Sequence, residues 1–134
     1  MNFDAHPVAT PMPPPDGRAF LYIHVPFCIA LCPFCSFHRV AYRQSKAARY
    51  FTALRREIVA YRDAGFRFGG VYVGGGTPTV APEELDETLA LVRESFPVRE
   101  ISVETNPTDL TDPILDMLVK AGVNRLSVGV QSFD

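Results

Sequence analysis

Apolar and polar residues alternate along this chain in two rhythms, and the rhythm switches at regular intervals. Four short runs, "FLYIHV" (Phe20 to Val25), "GVYVGG" (Gly70 to Gly75), "EISVET" (Glu100 to Thr105) and "RLSVGVQS" (Arg125 to Ser132), are rich in β-branched and aromatic residues and read as strands. Between them, apolar side chains recur at helical spacing. Ala47, Tyr50, Phe51, Leu54, Ile58 and Tyr61 share one face in the first interval, Leu85, Leu89, Val92 and Phe96 in the second, and Ile114, Leu115 and Leu118 in the third. The boundary residues agree. Pro82 suits a first helical turn with Glu83 and Glu84 beside the positive helix end, Thr111 can cap the third helix ahead of Pro113, and Gly122 can close it.

Strands that alternate with helices in this way imply an α/β fold of parallel strands joined by right-handed crossovers. The sequence closes on Gln131 to Asp134, where the fourth strand should hand over to a fourth helix. The chain therefore reads as the N-terminal portion of a partial α/β barrel, apparently truncated and with an open sheet edge; a complete doubly wound domain is the alternative. Met1 to Gly17 holds five prolines and no apolar run long enough for a signal-peptide core or a membrane span. It reads as a disordered, Pro-rich leader over 1–17 ahead of a core over 18–134, in a cytoplasmic protein with no integral membrane segment.

Composition narrows the class only a little. With 47% hydrophobic residues and a net charge of −2, the chain fits an ordinary globular protein and gives no reason to expect a nucleic-acid partner. The charges are unevenly placed, however. Arg39 to Arg67 holds eight basic residues against Glu57 and Asp63, whereas Glu83 to Asp116 holds ten acidic residues against Arg93 and Arg99. Two solvated helix faces of opposite sign would account for this; alternatively, Arg39 and Arg43 meet an acidic substrate or electron donor.

In parallel α/β folds, chemistry gathers at the C-terminal ends of the strands. Here those ends carry the segment "FCIALCPFCSF" (Phe27 to Phe37), then "GGGTP" (Gly74 to Pro78), then Glu104, then Gln131. The first of them holds all three cysteines, Cys28, Cys32 and Cys35. A disulfide would leave one odd thiol in a reducing compartment. Zinc could be completed by His38 or His24, although the spacing matches no common zinc ribbon or knuckle. A [4Fe-4S] cube held by three thiolates would leave one iron open to a small molecule. Simple hydrogen bonding remains an alternative for both histidines.

The spacing Cys28-x3-Cys32-x2-Cys35, with Phe34 before the last cysteine, resembles the signature of radical S-adenosylmethionine (SAM) enzymes. "YIHVPFC" (Tyr22 to Cys28), "GGGTPT" (Gly74 to Thr79), "ISVETNP" (Ile101 to Pro107) and "AGVNRLSVGVQSF" (Ala121 to Phe133) are similar in order and spacing to the oxygen-independent coproporphyrinogen III oxidases and their heme-chaperone relatives. The resemblance implies a TIM-like radical SAM barrel, of which this is the N-terminal part. It also implies three irons on Cys28, Cys32 and Cys35, with S-adenosylmethionine on the fourth, and cofactor contacts from Tyr22, Phe34, Gly75, Gly76, Thr77, Glu104 and Gln131. The implied partners are a tetrapyrrole substrate or heme and a flavodoxin- or ferredoxin-type electron donor. Oxidases of that family carry one more cysteine two residues past the third, where this chain has Phe37; at that point the heme chaperones and heme-degrading methyltransferases are more similar.

Overall fold

The structure is a computed structural model that describes residues 12–14 and 19–130. Most of the expected leader, and Gln131 with the end of the fourth run, lie outside the described residues. Among the described residues, six strands and three α-helices follow in the order β1 (Ala19–Val25), β2 (Phe27–Cys28), β3 (Val40–Ala41), α1 (Gln44–Asp63), β4 (Phe68–Gly75), α2 (Pro82–Ser95), β5 (Glu100–Thr105), α3 (Asp112–Lys120) and β6 (Arg125–Val128).

The four long strands form one parallel sheet in the order β1-β4-β5-β6. Strands that lie side by side in chain order, without reversal, are the winding of a barrel. A doubly wound domain would reverse its order at a switch point, so the described strands do not form that alternative.

Register explains why the strands read as they do. Tyr22 sits beside Tyr72, Tyr72 beside Ser102, and Glu104 beside Ser127, so one face of the sheet carries tyrosines and polar groups. The residues one step along, Ile23, Val25, Val71, Val73, Ile101 and Val103, are buried on the other face with Phe51, Ile58, Leu85, Leu89, Val92 and Leu118 of the helices. Period-two alternation on the strands therefore meets 3.6-residue periodicity on the helices in a single core. Each such side chain contributes about 1.5–3 kcal/mol through burial.

Most boundaries follow the sequence. Pro82 opens α2, with Glu83 and Glu84 in its first turn. Thr111 stands at the N-cap of α3 but makes no side-chain capping bond, and Gly122 closes that helix by donating its N–H to the Val119 carbonyl (3.0 Å). β6 ends at Val128, short of the predicted run, and the Gly129 N–H makes the last ladder bond, to Thr105 O (2.9 Å). The charge asymmetry is partly an inter-helix pairing, since Arg55 of α1 meets Glu84 (2.8 Å) and Glu87 (3.4 Å) of α2. Among the described residues no helix is long and apolar enough to cross a membrane.

Candidate functional site

A cysteine-bearing loop leaves the end of β1, and its two ends are tied together at the base. β2 and β3 pair in parallel for two residues, Val40 N–H donates to Pro26 O (2.7 Å), and Tyr42 N–H donates to Cys28 O (2.8 Å). Cys28 lies at this base and is buried. Cys32 and Cys35 sit further out on a turn closed by Cys35 N–H to Cys32 O (3.2 Å), with Cys32 exposed and Cys35 partly so.

The glycine turn after β4 is bonded to that base. Gly76 N–H donates to Val25 O (2.7 Å), and Thr77 N–H donates to Phe27 O (2.8 Å). Gly75 has φ +119°, a conformation that L side chains rarely adopt, and a Cβ there would fall 2.6 Å from the His24 ring. A Cβ on Gly76 would fall 2.6 Å from the Phe27 carbonyl oxygen and 3.0 Å from the Cys28 sulfur. Glycine is thus required first by the protein's own packing, not only by the approach of a ligand.

The third strand end supplies a carboxylate and an amide. Glu104 accepts from Tyr72 O–H through one oxygen (2.5 Å) and from Gly75 N–H through the other (2.9 Å). Tyr72 stacks on Tyr22 with ring centroids 6.1 Å apart. The hydrogen bond to Glu104, then burial, holds the Tyr72 phenol above its ordinary range; burial, then the Glu104 charge, does so for Tyr22. Asn106 donates to the Thr77 hydroxyl (2.9 Å) and to Asp109 (3.2 Å), and the buried Thr77 hydroxyl points to the Cys28 sulfur at 3.7 Å.

All these elements open onto one cavity of ≈ 970 Å³ at the C-terminal edge of the sheet. Of the residues singled out in the sequence, Cys28, Cys32, Cys35, Phe34, Gly75, Gly76, Thr77 and Glu104 line it. Tyr22 does not; it lies beneath, against Tyr72. Gln131 falls outside the described residues. Sequence reasoning missed Tyr72 and Asn106 as parts of the site. Strand register with Tyr22 and adjacency to Glu104 were the available signals.

His24 is engaged elsewhere. His24 Nδ1 meets Tyr22 O–H (3.1 Å), and its Nε2 meets the His38 carbonyl oxygen (3.2 Å). Among the described residues no three His, Cys, Asp or Glu side chains converge closely enough to hold one metal ion, as a Cys3His zinc site requires. A cluster asks less: one sulfur per iron around a common hollow.

The chain matches the family model described as the radical SAM superfamily over residues 22–134. It is 40% identical to the oxygen-independent coproporphyrinogen III oxidase of Bradyrhizobium diazoefficiens, over 90% of this chain and 29% of that one. It is 36% identical to the heme chaperone HemW of Bacillus subtilis, over 84% of this chain and 32% of that one. Among solved structures, coproporphyrinogen III oxidase (HemN) from Escherichia coli, described as a radical SAM enzyme, matches with a TM-score of 0.78 and 36% identity, over 93% of this chain and 29% of that one. The chain therefore spans under a third of the length of these relatives. Its sheet is the N-terminal portion of the TIM-like barrel seen in HemN, and the chain belongs to the radical SAM superfamily.

Proposed function

We propose that the protein is a radical SAM enzyme of the coproporphyrinogen III oxidase-like family, which cleaves S-adenosylmethionine reductively for chemistry on a tetrapyrrole. The observation that carries this reading is the cavity itself: three cysteines, a glycine turn and a strand-end carboxylate share one hollow at the C-terminal edge of a parallel sheet. The donor set suits the group, since three thiols, the ligand type that holds iron–sulfur clusters, line one hollow. Cys28, Cys32 and Cys35 would hold a [4Fe-4S] cluster. The chemistry such a group supplies is one-electron cleavage of the S-adenosylmethionine sulfonium into methionine and a 5′-deoxyadenosyl radical, which takes hydrogen from the substrate.

The chain's own residues would bind and orient. Glu104 has two oxygens and about four acceptor positions, two of them taken by Tyr72 and Gly75, so it retains capacity for ribose hydroxyls. Gly75, Gly76 and Thr77 present backbone rather than bulk to the cavity, Phe34 offers an apolar wall, and Tyr22 backs Tyr72. Gln131 would add a further polar contact. The electron would come from a flavodoxin- or ferredoxin-type donor, to which the exposed Arg43, Lys46 and Arg49 offer positive charge.

The test is anaerobic reconstitution with iron and sulfide, reduction, and assay of 5′-deoxyadenosine and methionine with coproporphyrinogen III or heme present. Release of both products, with loss of substrate carboxylate as carbon dioxide, is the expected result. A protein that takes up iron yet never cleaves S-adenosylmethionine would overturn it. Phe37, exposed on the wall of the cavity where the oxidases carry a fourth thiol, favours a second reading, that of a heme chaperone. Tight heme binding without porphyrinogen turnover would select it.

A further inference from the structure

Arg39 is the one charged residue of the cysteine loop, and it turns inward. Its Nη2 donates to the main-chain carbonyl of Cys32, seven residues earlier, and its side chain lines the same cavity as the three cysteines. No carboxylate pairs with it among the described residues. Its Nε is buried and, among the described residues, has no acceptor. A guanidinium N–H can only donate, so this one is an obligate donor. Buried donors are almost always satisfied, and an exception asks for an explanation such as local strain, a water or an ion. Closed off from the cavity, the Nε is held within the loop, and the part of the guanidinium that lines the hollow carries its charge.

We infer that Arg39 is a positioning residue for the cluster, clamping the Cys32 backbone through Nη2 while its fixed positive charge stands at the wall of the hollow that would hold the cluster. This rests on the cluster reading above. Two consequences follow. The clamp holds Cys32, which is exposed and has no other element over it, in place to keep its iron. The charge favours the more negative, reduced state of a thiolate-bound cluster, because net charge and hydrogen bonds to sulfur set such potentials.

The test compares wild type, Arg39→Met and Arg39→Lys after anaerobic reconstitution. Iron release to a chelator is timed, and the midpoint potential is found by titration followed by electron paramagnetic resonance. Arg39→Met should release iron about 10-fold faster or more, the range seen when partners that orient metal ligands are removed, and its midpoint potential should move to more negative values. Arg39→Lys keeps the charge on a single point donor. Its potential should return toward wild type while iron release stays fast. Wild-type release and potential in Arg39→Met overturn the proposal. Should that variant fail to fold, Arg39→Lys decides, and wild-type iron retention there overturns the clamp. A wild-type protein that takes up no iron overturns the cluster reading, and this inference with it.

Discussion

Replacing Gly76 with alanine should injure the cysteine site from beneath, without touching any cysteine. The added Cβ would stand 2.6 Å from the Phe27 carbonyl oxygen, 3.0 Å from the Phe27 carbonyl carbon and 3.0 Å from the Cys28 sulfur. Two of these are backbone atoms, so the clash cannot be relieved by turning a side chain. Overpacking of this kind costs about 1–3 kcal/mol. The shift also strains the bonds that join the turn to the loop base, Gly76 N–H to Val25 O and Thr77 N–H to Phe27 O. Each is worth about 1 kcal/mol net, so a total loss of roughly 3–5 kcal/mol is expected if both are broken. Gly69→Ala is the control. Nothing lies within 4 Å of a Cβ there and its φ is negative, so that variant should be neutral or gain up to about 1 kcal/mol. The assay is urea unfolding with a common m-value, alongside thiol labelling of the metal-free protein. Exposed Cys32 serves as the fast internal reference and buried Cys28 as the slow reporter, and Cys28 should label faster in Gly76→Ala. A Gly76→Ala protein as stable as Gly69→Ala, with Cys28 still protected, would refute the close approach.

Two further outcomes follow from the same end of the sheet. Thr79 and Thr105 share a buried hydrogen bond (2.8 Å), and only Thr105 has a second acceptor, Asn106 O at 3.4 Å; in urea unfolding, Thr105→Val should therefore cost more than Thr79→Val, each about 1–3 kcal/mol, and the double variant less than their sum. The phenols of Tyr22, Tyr50 and Tyr72 are all held above the ordinary value of 10.0, with burial the leading cause for Tyr22 and Tyr50 and the Glu104 bond for Tyr72. The folded state then keeps protons that the unfolded state has lost, so this contribution is complete below pH 10 and disappears as pH rises through the folded values. Unfolding measured from neutral to strongly alkaline pH should show that decline, and Tyr50→Phe, which also removes the donor to His24 O, should flatten it.

The fold was legible because the core obeys two simple periods. Every third or fourth residue of α1, from Ala47 through Phe51 to Ile58, and every second residue of β4, Val71 and Val73, fall on the buried side, and those positions alone carry the α/β pattern. The ends of the cysteine loop were not legible, since β2 and β3 are two residues long and no period can be read from two residues. Arg39 was legible only as a charge, part of a solvated face or a contact for an acidic substrate or donor. In a run with seven other basic residues it reads as surface charge, and only the path of the loop turns it back to Cys32.

The glycine turn shows how a motif can be recognised for one reason and needed for another. Read as sequence, Gly75 and Gly76 are places where backbone can approach a ligand closely. In the structure their missing side chains are already spoken for by the protein, Gly75 by the His24 ring and Gly76 by the backbone that carries Cys28. The N–H groups of the same turn serve three neighbours: Gly75 reaches Glu104, Gly76 reaches β1, and Thr77 reaches the loop base. Three residues thus fix the carboxylate, the first strand and the first cysteine relative to one another. A displacement at any one of them is transmitted to the others through bonds of 2.7–2.9 Å. Substitutions in this turn should therefore change thiol geometry and carboxylate geometry together, and a variant that weakened S-adenosylmethionine binding while leaving Cys28 unmoved would separate the ligand's demand for glycine from the protein's own.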